Sequence, residues 1–444
     1  MINDQIIPES ARKAIEMLHK AGYEGWLVGG CVRDMLRGVA PHDWDITTSA
    51  LPEETIEVFR GFHVIETGLK HGTVTVMWEG EPLEITTYRH DGEYLDHRRP
   101  ETVSFVRDLE SDLVRRDFTM NAMAYAPAIG LRDPYGGRED LEKGLIRAVG
   151  DAGARFEEDA LRILRAMRFS STFGCTIEEN TLRAMHEKKE LLRHVSHERV
   201  LEEIRKMAVG DNVLEVLMTC SAILAVVLPE IKDCIGFRQN NRHHIYDVWE
   251  HTARAVSAAP QDPILRLALL FHDVGKPSSY TVDQNGEGHF YGHAKLSGEM
   301  THKALKRLKC DRYTMDEVVW LVSYHDYQAP PMPKHARRLL SRFGEERTRR
   351  LLHMKMADSS SHHPDFLERA NIAQQLLDLV EEELAKENCL SLKDLAVKGG
   401  DMMALGLEGK PISDMLGLLL DRVVDGEVPN EKDALLALAA SLRK

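Results

Sequence analysis

Residues Gly29 to Thr47 open with Gly29-Gly30 behind the apolar run Trp26-Leu27-Val28 and close with Asp43 and Asp45 ahead of Ile46-Thr47. Glycines let the backbone N–H groups at a helix start approach a phosphate closely. Side chains alternate along a strand, so Asp43 and Asp45 are expected on one side of it. Two carboxylates held side by side suit Mg²⁺, which takes one or two carboxylates together with substrate phosphates. A third, Glu84, sits in Leu83-Glu84-Ile85-Thr86-Thr87, where alternation turns it away from Leu83 and Ile85. Phosphate binding at one end and two-metal chemistry at the other describe nucleotidyl transfer. Asp-x-Asp alone is common in loops, and Glu84 alone reads equally as an exposed position on a half-buried strand.

Two further runs bear on the nucleotide. Arg115-Arg116-Asp117-Phe118-Thr119 joins guanidinium forks for phosphate to a carboxylate that accepts a sugar hydroxyl. Asp117 and Thr119 also suit helix capping, which leaves Arg115-Arg116 unexplained. In Glu158-Asp159-Ala160-Leu161-Arg162, helical spacing puts Asp159 and Arg162 on one face, with Arg165 and Arg168 continuing the row. Cytosine and adenine both present an exocyclic amine beside an unprotonated ring nitrogen, and an Asp acceptor beside an Arg donor matches that edge. Uracil and guanine would meet like against like. A surface salt bridge is the competing reading of this pair.

A third set is histidine-rich: His251, the dyad His272-Asp273, His293, His325 and Asp358. Mixed imidazole and carboxylate ligands hold divalent metals that activate water against phosphate esters.

These residues need several bodies to position them. At 444 residues the chain exceeds one ordinary core. Residues 1–150 read as a mixed α/β domain, with a helical pattern over Glu9 to Lys20 and strands over Thr73–Trp78 and Pro82–Tyr88. Residues 151–236 read as helical, 237–365 as the histidine-rich body and 366–444 as a helical tail interrupted at Gly399 to Pro411. Six scattered cysteines without a CxxC pair, and no basic leader ahead of an apolar run, point to a reducing cytoplasm. No apolar stretch is long enough to span a membrane. The net charge of −14 argues against indiscriminate coating of nucleic acid, but not against RNA held on a local basic face such as Arg98-Arg99 or Arg205-Lys206.

Taken together, the motifs resemble the class II tRNA nucleotidyltransferases, the bacterial CCA-adding enzymes, which share their head with bacterial poly(A) polymerases. The matching pieces are Gly29-Gly30-x-x-Arg33-Asp34, Asp43-x-Asp45, Asp91-Gly92-x-Tyr94 to Arg98-Arg99-Pro100, Arg115-Arg116-Asp117-Phe118-Thr119 and Asp133 to Asp140-Leu141. They continue with Glu158-Asp159-x-x-Arg162 and Glu198-Arg199-x-x-x-Glu203. The resemblance implies an α+β, polymerase-β-like nucleotidyltransferase head, then an all-α neck, body and tail. It implies template-independent addition of C, C and A to the tRNA 3′ end from CTP and ATP with Mg²⁺. Asp43, Asp45 and Glu84 would then hold the metals. Gly30, Arg33 and Arg116, next to Gly29, would meet the triphosphate, and Asp117 the ribose. Asp159 and Arg162 would read the base, with Arg165 and Arg168 lining the pocket. Residues Asp91 to Pro100 match the loop that lets such enzymes pass from C to A addition. The body resembles an HD phosphohydrolase domain with a divalent metal of unnamed identity on His251, His272, Asp273, His293, His325 and Asp358. It implies phosphatase or 2′,3′-cyclic phosphodiesterase activity. His243-His244 crowd the first ligand position, and His251 is preferred for its place in Asp247-Val248-Trp249-Glu250-His251-Thr252. Competing readings are a poly(A) or A-only polymerase, an HD hydrolase with a non-catalytic tRNA-binding head, and a non-catalytic RNA-binding protein. The residues carry no signal for oligomeric state.

Overall fold

In the computed structural model, described for residues 2–91, 103–241, 245–361, 368–386 and 389–442, the chain divides into two compact units, Met1–Pro229 and Glu230–Lys444. The first unit is built on one mixed sheet. In chain order its elements begin with α1 (Glu9–Lys20), β1 (Gly25–Val28), α2 (Gly30–Leu36), β2 (Asp45–Thr48), α3 (Pro52–Val58), β3 (His63–Ile65), β4 (Thr73–Trp78) and β5 (Glu81–Thr87). The ribbon β6 (Arg89–Asp91) and β7 (Val103–Phe105) follows, then α4 (Leu109–Val114), β8 (Ala124–Ala126), β9 (Gly130–Arg132) and α5 (Gly137–Glu142). The seven-stranded sheet runs β3-β4-β5-β2-β1-β8-β9, and the β2–β5 pair is its parallel step. Ala11, Ala14, Ile15 and Leu18 of α1 pack with Leu27, Ile46, Leu83 and Ile85 on one face. Trp26, Val28, Tyr88, Leu113 and Ala124 close the other face.

Period-two alternation in β5 buries Leu83 and Ile85 and leaves Glu84 exposed, as the sequence pattern predicts. The expectation for Asp43 needs correction. Strand β2 starts at Asp45, so alternation along a strand does not place Asp43 beside it. The cause lies in β1, which pairs with β2 as far as Leu27↔Ile46 before Gly29, at φ +73°, turns the chain into α2. No β1 residue is then left to pair with position 43.

Beyond the sheet come β10 (Leu145–Ile146), α6 (Ala152–Glu158), α7 (Leu161–Phe173), β11 (Thr176–Ile177), α8 (Glu179–Lys188), α9 (His197–Ala208), α10 (Val213–Thr219) and α11 (Ser221–Val227). Asp159 does not share a helix with Arg162, contrary to the spacing argument. It ends α6 with an extended backbone (φ −137°, ψ 102°), and its Oδ1 accepts the Leu161 N–H at 3.0 Å. A short carboxylate that bonds a nearby backbone N–H competes with helix continuation, which explains the break.

The second unit is helical: α12 (Val248–Ala258), α13 (Pro263–Phe271), α14 (Lys276–Ser279), a hairpin of β12 (Thr281–Val282) and β13 (Gly288–His289), α15 (His293–Arg307), α16 (Arg312–Tyr324), α17 (Pro333–Phe343), α18 (Glu345–Ser360) and α19 (Glu368–Ala385). The tail adds α20 (Gly399–Ala404), α21 (Lys410–Val424) and α22 (Lys432–Leu442) around Leu395, Val397, Met402, Leu419 and Leu435. The stretch expected to interrupt the tail thus carries α20, capped at its start by the Asp401 carboxylate on the Lys398 N–H at 2.7 Å. Among the described residues no helix is long and apolar enough to cross a membrane.

Candidate functional site

Strand register builds the first half of the site. Asp45 of β2 pairs with Glu84 of β5, so the two carboxylates stand on one face at the sheet's parallel step. Both are exposed, as is Asp43 just ahead of β2. The Asp45 carboxyl is raised above its usual range by desolvation and by Asp43, against the opposing charge of Arg116. A cation is the natural complement of carboxylates held in that balance, so Asp43, Asp45 and Glu84 fit Mg²⁺ by donor type, and Asp45 and Glu84 by register as well.

Arg116 is fixed from behind by Asp112, a fully buried carboxylate that the motif reading passed over. Asp112 Oδ2 accepts from Arg116 Nη2 at 3.4 Å and from Thr47 Oγ1 at 3.3 Å, while Oδ1 accepts from Arg115 Nη2 at 2.6 Å. One carboxylate therefore ties the strand carrying Asp45 to both arginines. Its spacing, three and four residues ahead of Arg115 and Arg116, was the available signal. Arg116 also faces the glycine turn, since a Cβ on Gly29 would stand 2.9 Å from Arg116 Nη1. With φ at +73° and ψ at −127°, a conformation close to glycine-only, Gly29→Ala is expected to cost about 1–3 kcal/mol in backbone strain and to displace Arg116. Initial-rate kinetics should show about a tenfold fall in kcat/KM for CTP with secondary structure intact.

Arg33 stands beside the same turn, where a Cβ on Gly30 would lie 3.6 Å from its Nη2, but its donors are already engaged. It is 8% exposed, donates to Asp34 Oδ1 at 2.9 Å and to Asn121 Oδ1 at 2.8 Å, and stacks over Phe173 at 4.6 Å. The nearby Asn121 also donates to Asp117 Oδ1 at 2.9 Å, and Arg165 Nε donates to Asp117 Oδ2 at 2.8 Å. Asp117 therefore meets protein donors at both oxygens. Burial alone would raise its pKa, yet Arg165 and Asn121 hold it down at about 2. A folded-state value below the usual 3.8 stabilises the fold above the unfolded value and is lost as pH falls through about 2, an effect of about 2 kcal/mol. Asp117→Asn is therefore expected to lower the urea midpoint at pH 7, with the gap to wild type narrowing as pH falls from about 4 towards 2.

The base-reading candidates are each held by another partner. Asp159 Oδ2 accepts from Arg199 Nη2 of α9 at 2.8 Å. Arg162 Nη1 donates to Glu158 Oε2 at 2.6 Å, and its Nη2 to the Arg115 carbonyl at 2.7 Å. Arg168 Nε donates to Glu203 Oε2 at 2.6 Å. Helix α9 thus braces Asp159 and Arg168 through Arg199 and Glu203. The residues 92–102, which include most of the C-to-A loop, lie outside the described ones.

The second unit brings its six candidates together. His251 comes from α12, His272-Asp273 from the end of α13, His293 from the start of α15, His325 from the end of α16 and Asp358 from α18. Asp273 lies between two groups, His251 with His272 and His293 with His325. Its Oδ2 is 3.4 Å from His251 Nε2 and 3.2 Å from His272 Nε2, and its Oδ1 is 3.4 Å from His293 Nε2. Asp358 Oδ1 is 2.9 Å from His251 Nε2. Residues His243 and His244 lie outside the described ones.

Three of the rings are oriented alike, each bonding the carbonyl three residues back through Nδ1: His272 to Leu269 at 2.7 Å, His293 to Phe290 at 2.9 Å and His325 to Val322 at 2.7 Å. A ring nitrogen on a carbonyl must be the N–H, so each neutral ring turns a lone pair inward at Nε2. Two such lone pairs, on His293 and His325, meet at 3.1 Å. His272 Nε2 and both Asp273 oxygens are buried without a hydrogen-bond partner, although Lys276 Nζ stands 2.6 Å from Oδ2 as an ion pair. Converging lone pairs and an unpartnered buried carboxylate oxygen, Asp273 Oδ1, are the features a divalent cation would satisfy. Burial opposes charge on His272, but Asp273 and Asp358 hold its imidazole up at about 10, so a cation taking its Nε2 must displace a proton there, while burial lowers His325 to about 4 against the pull of Asp326. Asp273 is held well below the usual carboxylate range because His272 and Lys276 outweigh its burial.

Residues 25–147 match the poly A polymerase head domain, 174–235 the probable RNA and SrmB-binding site of polymerase A, and 289–439 a putative second domain of tRNA nucleotidyltransferase. The chain is 39% identical over 309 residues to the CCA-adding enzyme of Oceanobacillus iheyensis, covering 69% of each chain. It is 50% identical to that of Geobacillus kaustophilus, over 62% of this chain and 73% of the relative. The match to the Geobacillus thermodenitrificans enzyme, at 47% identity, spans only 55% of that relative. Among solved structures, the Bacillus stearothermophilus CCA-adding enzyme in complex with CTP superposes with a TM-score of 0.73 at 29% identity, covering 98% of this chain and 96% of that one. The Thermotoga maritima enzyme complexed with tRNA shares the fold at a TM-score of 0.61 and 19% identity. With its glycine turn, register-paired carboxylates and Asp112-anchored arginines in that same fold, the chain belongs to the CCA-adding enzyme family of class II tRNA nucleotidyltransferases.

Proposed function

We propose that the first unit adds C, C and A to the 3′ end of tRNA, from CTP and ATP and without a template. The observation that carries this reading is the Asp45↔Glu84 register beside Asp43, set opposite Arg116, in a chain whose relatives are CCA-adding enzymes. Asp43, Asp45 and Glu84 would hold Mg²⁺, which when bound activates the attacking hydroxyl and stabilises the leaving pyrophosphate. Arg116, aimed by Asp112 and Thr47, meets the triphosphate beside Gly29-Gly30. Asp159 and Arg162 select C and A once substrate draws them from Arg199 and Glu158, and Arg165 and Arg168 line that pocket. The enzyme would act in the cytoplasm on tRNA.

A tRNA transcript lacking its last three bases tests the reading. CTP alone should extend it by two residues, and CTP with ATP by three. Incorporation of A only, or long untemplated A tails, would overturn the choice in favour of an A-adding enzyme or a poly(A) polymerase.

The second unit is read as an HD phosphohydrolase domain with divalent metal on the cluster shared by Asp273, acting on phosphate monoesters or 2′,3′-cyclic phosphates such as those of damaged tRNA ends. His272 Nε2 and Asp273 Oδ1, buried without a hydrogen-bond partner, favour this reading.

A further inference from the structure

Tyr291 is the most exposed large apolar side chain among the described residues, at 77%. Its ring lies against His289 of β13, with centroids 5.3 Å apart and planes 14° from parallel, the offset stack that aromatic rings favour. His289 is itself held, since it pairs with Thr281 across the hairpin and its Nε2 stands 3.2 Å from Asp283 Oδ2. A braced aromatic pair therefore stands open to solvent. Both residues line the same cavity as Asp273, His293, His325 and Asp358 of the cluster. Tyr291 is two residues from His293, so their Cα atoms are at most about 7 Å apart. Gly292, at φ +75°, makes the corner between them, with Tyr291 out in solvent and His293 buried at the cluster. Lys276, Lys355 and Arg369 also line the cavity, which suits it to an anion. A phosphate held at the cluster would leave the group it esterifies one short span from an aromatic face.

We propose that Tyr291, stacked on His289, is a nucleobase platform, and that the second unit's centre takes nucleotides with the phosphate at the cluster and the base on Tyr291. The inference rests on the phosphohydrolase reading given above. Every base has a π-face, so stacking favours a base over none and does little to choose among bases. The cations beside the cluster supply attraction for the phosphate that the base alone would lack. The reaction balances without any oxidant or reductant. The oxygen of water bonds to phosphorus, the P–O bond to the sugar breaks, and the departing sugar oxygen takes a proton, giving phosphate and a nucleoside.

Two phosphate esters of secondary alcohols test the platform: adenosine 3′-phosphate and glycerol 2-phosphate, which has no ring. Phosphate release by the full chain loaded with Mn²⁺ is expected to show a KM about tenfold lower for the nucleotide. Tyr291→Ala should raise that KM about tenfold, to near the glycerol 2-phosphate value, with little change in kcat. The side chain is exposed, so its loss opens no cavity. Tyr291→Trp should keep the low KM, while Tyr291→Leu, apolar but without a ring, should behave as alanine. Equal KM values in the wild type, an equal rise for both esters in Tyr291→Ala, or a nucleotide KM that Tyr291→Ala or Tyr291→Leu leaves low would overturn the inference and leave the phosphohydrolase reading in place. No phosphate release from either ester would overturn both.

Discussion

Asp45→Ala is expected to lower incorporation of both CTP and ATP into truncated tRNA by about a thousandfold, with the fold retained. The magnitude follows from the several kcal/mol that a correctly held metal contributes to transition-state charge, at about 1.4 kcal/mol per factor of ten. Position 45 is exposed and lies at the first residue of β2, so alanine there removes no core contact and opens no cavity. It also removes a carboxylate whose pKa is raised by its surroundings, so the fold is not expected to lose stability with it. Asp45→Asn should behave like alanine, because an amide keeps the shape but loses the charge that a hard cation needs. Asp45→Glu keeps the charge but lengthens the arm, and should recover only part of the rate. Single-turnover extension with circular dichroism on the same samples separates lost chemistry from lost structure. Wild-type rates in Asp45→Ala would place the reaction outside the β2–β5 face and favour a head that only binds tRNA.

What the sequence revealed of this face follows from how local each signal is. Alternation in Leu83-Glu84-Ile85-Thr86-Thr87 is a property of five consecutive residues, and it fixed the side on which Glu84 stands. That Glu84 lies opposite Asp45 is set by a parallel pairing between strands nearly forty residues apart, which no local pattern encodes. Asp159 shows the opposite failure. Its run holds no glycine or proline, so helical spacing looked continuous through Arg162. The break comes from a carboxylate that bonds the Leu161 N–H and is held by Arg199, 40 residues along the chain. Asp112 was visible in principle, since its spacing to Arg115 and Arg116 is helical, but a buried carboxylate is recognised only once its burial is known. The histidine cluster was more legible, because its residue types are uncommon and its dyad is contiguous. The shared position of Asp273 between two groups emerges only when four helices and their ends converge.

That shared position gives the second large effect. Asp273→Asn is expected to abolish phosphate release from a monoester such as p-nitrophenyl phosphate, by about a thousandfold or more, and to empty the cluster of divalent metal. Asp273 supplies one oxygen to the His251–His272 group and the other to the His293–His325 group, so an amide would weaken both at once. Lys276 Nζ, 2.6 Å from Oδ2, would also be left as a buried cation facing imidazoles, and removing one partner of such a buried pair costs about 3–5 kcal/mol. Loss of hydrolysis through unfolding must therefore be told apart from loss of ligation. Asp358→Asn does this, because Asp358 is only half-buried and its Oδ1 lies at the His251–His272 side, at 2.9 and 3.5 Å. It should fold as the wild type does and keep metal bound at the His293–His325 group, while losing most of its hydrolytic rate. Metal analysis by plasma mass spectrometry on dialysed protein should then rank wild type above Asp358→Asn, and Asp358→Asn above Asp273→Asn. Nucleotide addition to tRNA by the Asp358 variant should stay near the wild-type rate, since the carboxylates proposed for that reaction lie in Met1–Pro229. Equal metal content in all three proteins would show that the convergence of lone pairs on Asp273 is a structural hydrogen-bond centre, and the hydrolase reading of the second unit would fall with it.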